Sequence, residues 1–285
     1  MNLRESFLPL GWYPRDPGEI SRFLSGTVKS YAKGHALAAI APHAGWRYSG
    51  KIAARAVASL GGTIETLAVI GGHLPAGYPP LFAMEDAAST PLGPMTINAA
   101  LRAALLKELG GKEDRYPDNT VEVLLPMARF FFPEATLLWL RLPAELRSFD
   151  AGKTVAAAAE RLGCAIAVLA STDLTHYGPS YGFTPKGTGP DALRWVKEVN
   201  DRGFIDAVES GDPAAVLERA QTDSSSCSAG AVLGAMGFAS ASGINAAGLG
   251  NARLLEYGTS VDSVGASAGG GIEALVGYAA MAWEA

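Results

Sequence analysis

Short apolar runs, almost free of charge, recur along this chain and alternate with stretches of helical periodicity. ALAAIA (36–41), ETLAVI (65–70), LFAME (81–85), TLLWLR (136–141), CAIAVLA (164–170), NARLLEY (251–257) and EALVGYAA (273–280) read as strands. Most of these runs are apolar on both sides of a period-2 repeat, which suits strands covered on both faces. Helices are predicted to begin near Ser49, Asn98, Val121, Ala151, Asp191, Asp212 and Cys227. The alternation is the mark of an α/β fold. We expect a single domain over 1–285, with a central, largely parallel or mixed β-sheet flanked by helices. Ser49 suits an N-cap for GKIAARAVASL, which Gly61-Gly62 would end. Asp191 suits a cap for ALRWVKEVNDRGFIDAVES.

Composition narrows the function. At 285 residues the chain is long enough for one large core. Hydrophobic residues make up 48% and charged residues 18%, with a mean hydropathy of +0.15. A net charge of −5, without a Lys/Arg cluster, argues against a nucleic-acid partner. The first residues, MNLRESFLPLGWYPRDP, lack the apolar segment of a secretory signal. Two cysteines in a chain this size suggest reduced thiols and a cytoplasmic protein. Residues 224–251 carry no charge and include a GxxxG at Gly230 and Gly234. Their helical part, about Cys227 to Ala239, reaches roughly 20 Å. A membrane span needs about 30 Å. SASGIN then breaks the pattern, so this reads as a buried helix whose small face admits a close neighbour.

The four histidines are not scattered. His43, His73 and His176 each lie just past a predicted buried strand, whereas His35 precedes one and reads as a surface residue. In open α/β sheets ligands bind outside the carboxyl ends of the strands, so parallel strands would bring the three imidazoles to one rim. Asp173 precedes His176 by three residues, and in a helical turn it would orient that ring. Cys227 opens the buried helix, where a helix N-terminus favours thiolate. Cys164 reads as an inert core residue. Trp46, Arg47 and Tyr48 either line a pocket and bind substrate or pack the strand–helix corner. Glu122 reads as a solvent-facing helix position. No HExxH or CxxC is present, so any metal ligands must come from distant loops.

GWYP (11–14), APHAGWRYSGKIAARA (41–56), IGGHLPAGYPPLFAMEDAASTPLGPMTIN (70–98), DNTVEVLLPMARFFFPEATLLWL (118–140), STDLTHYG (171–178), SSSCSAGAVLGAM (224–236) and LLEYGTSVD follow one another in order. On these segments the chain resembles the MEMO family, which includes the bacterial and archaeal AmmeMemoRadiSam system protein B. The family is similar in fold to the class III extradiol dioxygenases, so the resemblance implies a class III extradiol dioxygenase-like domain. It implies His43, His73 and Cys227 as metal ligands, with Cys227 where those dioxygenases have glutamate. Asp173 and His176 match the remaining acid/base pair. Asp118-Asn119-Thr120 stands where the family commonly has Glu-His-Ser, which removes one histidine, and Gly71-Gly72-His73 stands where a Gly-Pro-Asn/Ser-His turn is usual.

Three functions follow as expectations. The first is a non-haem iron redox or dioxygenase-like enzyme. Its divalent metal is Fe(II) first, with Zn(II) or Cu(I) as alternatives. The second is a non-catalytic adaptor that binds an anionic, phosphate-like or peptide ligand through Arg47 and the histidine pocket. The third is a cysteine hydrolase with Cys227 as nucleophile and His176 as base. The resemblance also implies a radical-SAM protein and an AMMECR-type protein as partners, with a small-molecule or peptide ligand, no nucleic acid and no membrane.

Overall fold

The computed structural model describes residues 1–28, 34–242, 252–264 and 272–284. A nine-stranded mixed sheet runs through the molecule. Its spatial order is His176–Tyr177, Leu275–Glu284, Ala36–Ala41, Ile166–Ser171, Thr66–Leu74, Thr136–Pro143, Leu81–Phe82 and Lys112–Glu113, and Ala252–Thr259 also pairs with Leu275–Glu284. The four central strands, Ala36–Ala41, Ile166–Ser171, Thr66–Leu74 and Thr136–Pro143, are mutually parallel. The C-terminal strands join antiparallel. The predicted architecture, mixed sheet and flanking helices, is the one observed.

Strand periodicity explains why the central runs are apolar throughout. Ala39, Leu67, Val69, Leu137 and Leu169 enter one core, under helices Pro17–Val28 and Trp46–Ser59. Their neighbours Ile40, Ala68, Ile70, Leu138 and Val168 enter a second core, under Arg147–Arg161 and Ala229–Ala241. A strand covered on both faces has no side on which a polar residue is welcome. The uncharged helix proves to be Ala229–Ala241, with every residue from Ala229 to Ala239 buried. No helix among the described residues is long and apolar enough to cross a membrane. Its small face does the expected work. Gly230 packs on the Leu142 and Pro143 carbonyls, and Gly152 and Gly237 let this helix and Arg147–Arg161 meet backbone to backbone. The SASGIN break extends beyond Ser242, outside the described residues, as does Asn251 of the predicted 251–257 strand.

Several boundaries differ. The helix after His43 begins at Trp46 with Gly45 as N-cap, and Ser49 sits inside it, its hydroxyl bonded to the Ala44 carbonyl. Asp191 lies in the first turn of Pro190–Trp195 rather than at its cap, which is Gly189. The continuation passes through a π-turn, Val196–Asn200, before Asp201–Ser210. Asn98 and Asp212 do cap their helices, accepting from Leu101 N and from Ala214 and Ala215 N. The predicted 81–85 strand shortens to Leu81–Phe82. Cys164 is only partly buried, 3.0 Å from the Thr66 hydroxyl, rather than a core residue.

Glu122 is the largest correction. It is 3% exposed, not solvent-facing. Its carboxylate accepts from Ser6 Oγ, Phe7 N, Leu8 N and Tyr13 Oη. Its donors come from residues over a hundred positions away, which helical periodicity cannot see. The clamp fixes the N-terminal segment whose Leu10, Gly11 and Trp12 line the cavity described below. Glu122→Gln keeps the shape but turns an amide toward groups that donate. It should cost about 2 kcal/mol. Trypsin cleavage after Arg15, which is tied to Ser6, Tyr13 and the Leu8 carbonyl, should quicken.

Candidate metal centre

The parallel strands end at one rim, and there the chain gathers its reactive side chains. His43 lies two residues past Ala36–Ala41, His73 is the penultimate residue of Thr66–Leu74, and Asp173 follows Ile166–Ser171. Cys227 sits just before Ala229–Ala241, whose N-cap is Ser228. Cys227 N is bonded to the Asp173 carbonyl, which docks its loop on the rim. His43, His73 and Cys227 each offer one ligand atom, and these atoms lie within 4.8 Å of one another. The rings of His43 and His73 meet edge to face at 4.9 Å between centroids.

Each imidazole is held by its other nitrogen. His43 Nδ1 is 2.8 Å from Ser171 Oγ, and its Nε2 is 3.2 Å from Cys227 Sγ. His73 Nδ1 is 2.9 Å from Asp118 Oδ2, and a ring nitrogen lies within 4.8 Å of Cys227 Sγ. His73 is also one of two non-glycine residues with positive φ among the described residues, at 57°. Its strand breaks register between Gly71 and Leu74. Such a left-handed residue costs on the order of 1 kcal/mol or more and persists where its surroundings enforce it. Here a Cβ at Gly72 would overlap Ser228, so the bulge needs glycine.

The electrostatics follow from this packing. Burial opposes charge on Cys227, yet His43 and His73 hold its thiol well below the ordinary range. Burial likewise opposes charge on His73, but bonds to Asp118 and Cys227 push its pKa up to about 10. Burial alone would raise Asp118, yet His73 and Arg141 hold it at about 2. Without metal, packing thus favours the charged forms: the Cys227 thiol is held low, and both imidazoles are pushed up. That donor chemistry fits a metal: a ready thiolate and two rings presenting Nε2, with Nδ1 already bonded. His43, His73 and Cys227 are the residues that can hold it.

The expected pairing of Asp173 with His176 is not the one found. Residues 172–175 are not helical, so the three-residue spacing does not set the two side chains on one helix face. Asp173 Oδ1 instead accepts from His43 N at 2.7 Å, and burial pushes its carboxyl up. His176 Nδ1 is 3.2 Å from the Leu174 carbonyl, and its ring meets Tyr181 edge-on at 5.1 Å. Both residues still line the same cavity of about 720 Å³, beside His43, His73, Asn119, Tyr48, Tyr181 and Tyr278. Of the three residues expected after His43, Tyr48 lines it and exposed Arg47 does not. Trp46 packs the corner: it is buried against Phe23 and Tyr13, with Nε1 donating to the Val123 carbonyl.

Four contributors escaped sequence reasoning. Ser171 and Asp118 hold the two imidazoles, Asn119 Nδ2 donates to the His43 carbonyl, and buried Asp201 steadies the loop before His176. Asp201 accepts from Thr175 N at 3.1 Å, from the Thr175 hydroxyl and from Tyr257 Oη at 2.7 Å. Burial pushes its pKa up to about 6 despite these bonds. Between its ordinary 3.8 and about 6 the folded chain therefore keeps a proton that the unfolded chain has lost. Stability from this group falls as pH rises through that window. Urea unfolding of wild type and Asp201→Asn from pH 4 to pH 7 should show wild type losing about 2 kcal/mol relative to the variant.

Fold and site together define an α/β protein with a His/His/Cys cluster at the carboxyl rim of a mixed sheet. A Memo-like protein family model matches residues 8–282, and the chain belongs to that family. A MEMO1 family protein of Pyrococcus abyssi is 31% identical over 263 residues, covering 86% of this chain and 85% of its own. One from Methanopyrus kandleri is 26% identical over 295 residues, covering 96% of each. A solved structure of an uncharacterized Escherichia coli K12 protein covers 86% of this chain and 98% of its own at a TM-score of 0.47 and 13% identity.

Proposed function

We propose that the protein is a metal-dependent redox enzyme that holds Fe(II) between His43, His73 and Cys227 and acts on a small molecule in the adjoining cavity. One observation carries this reading: three ligand atoms lie within 4.8 Å, with both imidazoles already held at Nδ1. Three protein donors leave coordination positions open. Two nitrogens and a thiolate suit Fe(II), and Zn(II) and Cu(I) are the next matches. When bound, the iron supplies one-electron chemistry and open positions for small ligands.

The chain's own residues have separable tasks. Ser171 and Asp118 orient the ligand rings. His176, with Nδ1 bonded to Leu174 O, keeps Nε2 to move a proton in the cavity. Tyr48, Tyr181, Tyr278 and Trp12 give that cavity aromatic walls suited to a small organic ligand. An anion-binding adaptor is less favoured, since no Lys or Arg is among the described residues lining the cavity. A pairing of Cys227 with His176 as base is less favoured too, because the imidazole bonded to Cys227 is that of His43. Anaerobic Fe(II)-loaded protein treated with nitric oxide should give a high-spin iron–nitrosyl electron paramagnetic resonance signal. Its absence from protein that demonstrably binds iron would remove the open-position reading.

A further inference from the structure

Arg141 lies near the end of the otherwise apolar Thr136–Pro143 strand, directly opposite Gly71. It is 3% exposed, and a buried guanidinium needs a reason. Its contacts supply one. Nε donates to the Gly72 carbonyl at 3.0 Å, the peptide just before His73. Nη2 is 3.1 Å from Asp118 Oδ2, the oxygen that also holds His73 Nδ1. Nη1 is 3.1 Å from the fully buried Asp114, whose other oxygen accepts from Trp139 Nε1. One planar fork therefore grips both the backbone and the side-chain partner of a single histidine. It does so where that histidine adopts its left-handed conformation. Lysine offers one point charge and could not meet both contacts at their fixed angles.

We infer that Arg141 is the positioning residue for His73, fixing its backbone through Gly72 and its ring through Asp118. This rests on the proposal that His73 is a metal ligand. Asp114 belongs to the structural end of the same chain: it supports the guanidinium but touches neither Gly72 nor the ring. Partners of this kind typically change metal affinity by about 10- to 100-fold.

The test compares Arg141→Lys, Asp118→Asn, the double variant and Asp114→Asn. Zn(II) affinity is read by competition with a fluorescent chelator, on protein confirmed folded by circular dichroism. Arg141→Lys should weaken Zn(II) by about 10-fold. The double variant should bind within about threefold of whichever single variant is weaker, because both act on one ring. Asp114→Asn should lower the Tm while leaving Zn(II) affinity within about threefold. The same variants, metal-free, are examined by proton–nitrogen NMR of the histidine rings. The His73 Nδ1–H signal, identified by its loss in His73→Gln, should persist in wild type and Asp114→Asn and exchange away in Arg141→Lys. Wild-type affinity with a retained ring proton in Arg141→Lys would overturn the assignment. So would fully additive losses in the double variant, or Asp114→Asn weakening Zn(II) as much as Arg141→Lys. If wild type takes up no Zn(II), the ring proton alone decides whether Arg141 positions His73, and the metal reading is left to loading with Fe(II) and Cu(I).

Discussion

His43→Ala should lower Fe(II) or Zn(II) affinity by more than about 100-fold, a larger loss than removing a supporting partner. The imidazole is 1% exposed and bonded on both sides, to Ser171 and Cys227, so no neighbour can take its place. The same substitution should be visible without metal. His43 supplies the charge first among the influences that hold the Cys227 thiol low. Removing it raises the thiol pKa, so alkylation of metal-free protein by iodoacetamide should slow at pH 6 and need a higher pH to recover. Equal alkylation profiles in the two proteins would contradict the ion-pair description.

Gly237→Ala should be the most destabilising conservative change in the second core. A Cβ there would overlap the Phe149 carbonyl, and backbone cannot step aside as a flexible side chain can. Overpacking typically costs 1–3 kcal/mol, and a forced separation of two helices belongs at about 3 kcal/mol or above. The consequence should reach the site, because the same helix follows Cys227 and its N-cap Ser228 fills the space beside Gly72. Urea unfolding measures the first effect and Zn(II) affinity the second. A variant with wild-type stability would mean the two helices are not in such close contact.

The His/His/Cys cluster was legible because its logic is topological. Histidines at the carboxyl ends of parallel strands converge whatever lies between them, and His43 and His73 did so. Cys227 was expected at a helix N-terminus; it sits just ahead of the cap, where His43 and His73 also hold its thiol low, which spacing alone could not show. Local spacing misled where the backbone was not the assumed one. Asp173 and His176 are three apart in a segment that is not helical, and the carboxylate accepts from His43 N instead.

Glu122 and Arg141 show a different limit. Both are charged groups in apolar surroundings, and each is neutralised or bonded by residues far away in sequence. The pattern made Glu122 look solvent-facing and did not mark Arg141, because their partners lie far away in sequence. Asp118 carried a signal of another kind: it stands in the segment that departs from the usual Glu-His-Ser, and a carboxylate survives the change. That carboxylate is what holds His73.

The most direct test of the central claim is metal content by mass spectrometry on protein purified without oxygen, beside Cys227→Ser. About one iron per wild-type chain is expected, reduced or lost in the variant, as a three-ligand site with a thiolate requires. Wild-type protein that takes up no metal, even after anaerobic loading with Fe(II), Zn(II) and Cu(I), would contradict it.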